Sequence, residues 1–89
     1  MESKIKRQRQ KPVSIEASYT QTIKFDIEDY DIELDQIEWA YVRWCTLYIK
    51  LKNGEEIEID HYHEYDTDWK RPDKAFIYDS GGNELDQII

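Results

Sequence analysis

Eighty-nine residues, 36% of them charged and 39% hydrophobic, leave room for one domain around one small core. Cys45 is the single cysteine, which excludes an internal disulfide and a cysteine-cluster metal site, and no apolar run nears the roughly 20 residues that a membrane helix needs. The formal net charge of −8 is split by position: residues 1–12 carry five bases (Lys4, Lys6, Arg7, Arg9, Lys11) against Glu2, whereas residues 13–89 carry 19 acids against seven bases.

A body that negative favours basic partners and repels nucleic acid and anionic membrane. The core has to come from 12 Ile, seven Tyr, three Trp and two Phe, residue types that suit a pleated surface better than a helix.

Residues 1–12 read as a basic, flexible tail bounded by Pro12. No apolar segment follows its charges, so it does not resemble a secretory signal, and a cytoplasmic location is expected. Three roles are open to it: a solubilising end, a basic arm that grips an acidic surface or nucleic acid, or an internal counter-charge that folds back on the body. Residues 13–89 read as a single acidic, β-rich domain.

From Val13 to Glu28 the sequence alternates. Val13, Ile15, Ala17, Tyr19, Ile23, Phe25 and Ile27 share one parity, with Gln21 as the one polar interruption. This is the pattern of a half-buried strand, or of two strands with a bend near Gln21. The parity slips at Glu28-Asp29. Beyond it, Tyr30, Ile32 and Leu34 alternate with acids as a strand would, while Tyr30, Leu34 and Ile37 stand at helical spacing; both remain open for residues 29–36.

Residues 37–51 and 55–66 read as a hairpin around Lys52-Asn53-Gly54. A two-residue loop at Asn53-Gly54 mixes apolar and polar side chains on both faces. A three-residue loop with Gly54 in the left-handed position pairs Leu51 with Glu55 and sorts them. Ile49 then faces Ile57, Leu47 faces Ile59, Cys45 faces His61 and Arg43 faces His63. The opposite face carries Lys50–Glu56, Tyr48–Glu58, Thr46–Asp60 and Trp44–Tyr62. Residues 67–73 read as a loop, because Pro72 cannot join a central ladder. Lys74 to Asp79 reads as a strand, Ser80-Gly81-Gly82-Asn83 as a turn, and Glu84 to Ile89 as a short strand or helix with Ile88 and Ile89 docked. The expected fold is mainly β: a small antiparallel meander of four to five strongly twisted strands, curled or open-barrelled, with room for a short helix near 29–36.

Three acid rows carry the functional expectation. Glu56, Glu58 and Asp60 recur every second residue on the outward hairpin face, Asp26 and Glu28 form a second row, and Asp29, Asp31, Glu33, Asp35 and Glu38 form a third if that segment is extended. Side chains two apart on a strand stand roughly 6.6 Å from each other, on the same coarse scale as the charges of a nucleic-acid backbone, one per about 3.4 Å of duplex axis on each strand. Such a field could imitate nucleic acid in the basic groove of a nuclease or other nucleic-acid enzyme; small, acidic, Tyr- and Trp-rich phage inhibitors are of this type. An ordinary solvated strand face would carry the same letters. Tyr48 and Tyr62 share the outward face and Trp69 sits beside Lys70 and Arg71, so these three are candidate interface anchors, whereas Trp44 is expected to be covered.

His61 and His63 point to one strand face, yet a lone pair of this kind is weak as a metal site, and no metal or cofactor is expected. Cys45 is expected mid-strand as a buried, inert thiol. No acid–base pair stands apart from the charge field and no phosphate-cradling glycine motif occurs, so no enzymatic activity is expected. The first expectation is therefore an acidic, phage-type inhibitor that docks on a basic protein through Glu56, Glu58 and Asp60, extended by Asp26, Glu28, Asp31, Glu33 and Asp35. The alternative is a non-catalytic adaptor subunit that docks through the basic tail.

Overall fold

The computed structural model describes residues 10–61 and 71–89. Among them seven strands form: β1 (Pro12–Ser18), β2 (Thr22–Asp26), β3 (Ile37–Arg43), β4 (Thr46–Leu51), β5 (Glu56–Asp60), β6 (Lys74–Asp79) and β7 (Glu84–Gln87). They make two antiparallel sheets, one in the order β2-β1-β6-β7 and one in the order β3-β4-β5. The antiparallel, mainly β expectation holds. The core, however, lies between two sheets rather than inside one curled sheet, and among the described residues no barrel closes.

The first hairpin follows the alternation of its sequence. Ile15 pairs with Phe25 and Ala17 with Ile23, which buries all four side chains on one face. The bend falls at residues 19–21, where the Tyr19 N–H donates to the Gln21 carbonyl at 2.7 Å. On the other side of β1, Ala75 and Ile77 of β6 continue the same apolar face. Val42, Leu47 and Ile49 of the second sheet join them in one buried cluster, with Ile27 and Ile32 from the connecting segment. The His61 and Phe25 rings pack in a T-shaped arrangement with centroids 5.8 Å apart.

The three-residue loop at 52–54 forms in the expected register. Ile49 pairs with Ile57, Leu47 with Ile59, Tyr48 with Glu58, Lys50 with Glu56 and Thr46 with Asp60. The Leu51 N–H donates to the Glu55 carbonyl, the Gly54 N–H donates to the Leu51 carbonyl, and Gly54 sits at φ 99°. The His61 N–H donates to the Cys45 carbonyl at 3.0 Å, as the same register requires.

The expected first arm, residues 37–51, is not one strand. It turns at Trp44-Cys45, and Arg43 pairs with Thr46 across that two-residue loop. Trp44 takes up a φ of 57°, a conformation that bulky side chains rarely adopt. Nothing in Trp-Cys announces a turn. Two consequences correct the sequence reading. Arg43 lies opposite Thr46 instead of the expected His63, which lies outside the described residues. Cys45 is buried, as expected, but in a turn rather than mid-strand.

Residues 29–36 are neither strand nor α-helix. Two single 3-10 turns, Glu28–Tyr30 and Leu34–Gln36, flank a short link in which Asp31 has φ 55°. Ile32 of that link is buried. At the other end of the chain β6 turns into β7 through residues 80–83. Asp79 Oδ1 there accepts the backbone N–H groups of Gly81 and Asn83 at 3.0 and 2.8 Å. Ile88 and Ile89 are half-buried and continue the pairing with Ala75.

Candidate protein-docking face

The outward face of β3-β4-β5 is sorted into three parallel rows. The edge strand β5 alternates half-buried Ile57 and Ile59 with exposed Glu56, Glu58 and Asp60. The central strand β4 turns Thr46, Tyr48 and Lys50 to the same face, opposite Asp60, Glu58 and Glu56 in turn. The edge strand β3 adds Trp39, Tyr41 and Arg43, opposite Lys50, Tyr48 and Thr46.

The aromatic members touch. Tyr41 stacks on Tyr48 with ring centroids 5.0 Å apart and planes 23° apart, and Trp39 lies against Tyr41 at 5.3 Å. Trp39 and Tyr41 are 41% and 38% exposed, so the ladder is braced within the sheet yet open to solvent. Beside it the Arg43 guanidinium lies over the Trp44 ring, 5.1 Å from its centroid. Trp44 was expected under cover on the outward strand face. It stands instead in the β3–β4 turn, 45% exposed.

The acid row is equally accessible. Asp60 accepts the Thr46 hydroxyl at 2.8 Å. Glu58 lies beside Tyr48 and Glu56 beside Lys50. The row is thus a charged border along an aromatic strip, since β3 and β4 contribute Arg43 and Lys50 to the same face.

The other acids do not extend this row. Asp26 and Glu28 form no continuous strand, because Asp26 Oδ1 accepts the Glu28 N–H at 3.1 Å as the chain leaves β2 and turns. Asp29, Asp31, Glu33 and Asp35 fall on the 3-10 segment, whose backbone breaks the two-residue period that an acid row needs. Asp31 is held in an ion pair by Lys11. Glu33 and Gln36 cap the second 3-10 turn reciprocally, the Glu33 N–H donating to Gln36 Oε1 at 2.7 Å. The Leu34 N–H donates to the Gln10 carbonyl at 2.9 Å. Residues 10 and 11 are therefore fastened to the acidic segment, whereas residues 1–9 lie outside the described residues.

Tyr62, Trp69 and His63 lie outside the described residues. His61 packs against Phe25, and among the described residues no group of three or more His, Cys, Asp or Glu side chains gathers where a metal could bind. No helix among them is long and apolar enough to cross a membrane.

Trp39 and Tyr41 were not among the sequence-derived candidates. With residues 37–51 taken as one strand, Tyr41 shares the parity of Cys45 and Leu47 and would face the core. The two-residue turn at 44–45 reverses that parity, so that residues 39, 41 and 43 join the face of 46, 48 and 50. The signal available was a run in which Trp39, Tyr41 and Arg43 alternate with the small Ala40 and Val42. No protein-family model matches the chain, and no curated protein or solved structure shows significant similarity to it.

Proposed function

We propose that this protein is a non-catalytic acidic inhibitor of the phage or mobile-element type that docks, through the outward face of β3-β4-β5, on the basic nucleic-acid-binding surface of a nuclease or other defence enzyme. One observation carries the reading. Three exposed carboxylates, Glu56, Glu58 and Asp60, run along one edge of a sheet face whose central strand carries the half-buried ring of Tyr48 and whose opposite edge carries the exposed rings of Tyr41, stacked on Tyr48, and Trp39, tilted against Tyr41. Aromatic anchors bordered by charge are the composition of an interface: the rings supply desolvated contact area, and the border supplies orientation and encounter rate. The carboxylates stand in for phosphates over a stretch of about 13 Å, two strand repeats of roughly 6.6 Å. The partner's nucleic acid would be excluded by occupation and by like charge. The test is capture on immobilised protein from a lysate of the cells that encode it, at low and high salt. The reading requires a basic nucleic-acid-processing protein that salt elutes and that added DNA or RNA displaces. A complex indifferent to both salt and nucleic acid would contradict it.

A further inference from the structure

Beside the docking face, where β3 of one sheet passes β7 of the other, lies a cavity of about 240 Å³. Its buried and half-buried lining is apolar: Ile77 of β6, Ile88 just past β7, Ile37 and Ala40 of β3, and Leu34. Its exposed lining is of another kind: Glu38, Asp86 and Trp39. No basic side chain lines it.

The backbone at this place is irregular on both sides. In β3 the register steps from Ile37–Leu51 to Trp39–Lys50, which makes Glu38 the extra residue of a bulge. In the β6–β7 ladder it steps from Ile77–Asp86 to Tyr78–Glu84, which leaves Leu85 unpaired next to Asp86. Bulges re-aim the side chains at and beside them. Here one bulge contains Glu38 and the other adjoins Asp86, two acidic residues that line one cavity. Pockets that hold drug-sized ligands begin at roughly 300 Å³, so this one suits a single side chain.

We infer that the cavity is a socket for one basic side chain of the partner, a lysine or arginine inserted from the docking face. This rests on the reading of the partner as a basic protein and names the anchor that such a partner would use. The aliphatic stem lies along Ile37, Ala40, Ile77 and Ile88, as long cationic side chains do on apolar surface. The charged head lies between Glu38 and Asp86 and over the Trp39 ring, combining ion pairing with a cation–π contact.

The experiment uses the full chain and small probes. N-α-acetyl-lysinamide and N-α-acetyl-argininamide are titrated into isotope-labelled protein, with N-α-acetyl-norleucinamide as the control that keeps the stem and lacks the charge. The expected result is saturable movement of the Trp39 indole N–H and the Ile88 methyl signals with at least one basic probe. Affinity should fall about 3-fold in Glu38→Gln or Asp86→Asn and about 10-fold in the double variant, as two exposed ion pairs would give. Equal response to the norleucine probe, no saturable response at Trp39 and Ile88, or unchanged affinity in the double variant would overturn the socket. None of those results bears on partner capture through Glu56, Glu58 and Asp60, so the socket and the docking reading fail separately.

Discussion

Tyr41 and Tyr48 sit directly opposite each other in the β3–β4 ladder and stack with centroids 5.0 Å apart, on the solvent side of the sheet. Directly opposed aromatic pairs stabilise an antiparallel pair by about 0.5–1.5 kcal/mol beyond their area. Tyr41→Ala is therefore expected to lower unfolding free energy by about 1 kcal/mol. It should weaken partner binding by about 10-fold or more, as loss of an interface anchor does. Denaturant unfolding and a binding titration of the same variant check the two parts.

Gly54 fixes the register that places the acid row. Its φ of 99° is open to glycine alone, while a Cβ built there would meet nothing within 4 Å. Gly54→Ala should therefore cost backbone strain only, about 1–2 kcal/mol, read as a lower denaturation midpoint with an unchanged slope. A neutral result would mean that the three-residue loop does not hold the β4–β5 register.

Asp79 closes the β6–β7 turn, and its carboxyl is held below the usual aspartate range. The Asn83 backbone N–H contributes most, then the Asn83 side-chain amide, with the Gly81 N–H adding less. A depressed native pKa gives stability that is fully present above the unfolded value, about pH 4, and lost as pH falls through the native value. Asp79→Asn should flatten that part of the acid-unfolding profile, which thermal melts at a series of pH values below about 5 would show.

The tail distinguishes the inhibitor from an adaptor. Lys11 and Gln10 are fastened to Asp31 and Leu34 in the body, so removal of residues 1–9 keeps those two contacts. The expected outcome is partner affinity within about 2-fold of the full chain, since the proposed docking groups all lie in the body and exposed charges are screened by salt. Abolished binding in a calorimetric titration would transfer the docking role to the tail.

Much of the fold is legible in the sequence because its strands are half-buried and alternate. The parity from Val13 to Ile27 gives the first hairpin, and sorting of Ile57 and Ile59 from Glu56, Glu58 and Asp60 selects one of two registers around Gly54. What could not be read is the turn at Trp44-Cys45. It carries no Gly, Pro, Asn or Asp, and only the folded context holds Trp44 at positive φ. That one turn decides the face of Trp39, Tyr41 and Arg43, so these three were hidden, while Tyr48 and the acid row were visible. Residues 29–36 were illegible for another reason: Tyr30, Ile32 and Leu34 fit a strand period while Tyr30, Leu34 and Ile37 fit a helical one, and two single 3-10 turns satisfy neither.

On the proposed reading, the carboxylates of β5 meet a basic partner surface. The most direct measurement is the affinity of the captured partner for the wild-type chain and for the triple variant Glu56→Lys, Glu58→Lys, Asp60→Lys across a range of salt concentrations, with circular dichroism confirming the fold. Wild-type affinity should fall steeply with salt, and the variant should bind at least about 100-fold more weakly at low salt with a much shallower salt slope. Equal affinity and equal slope for the two proteins would contradict it.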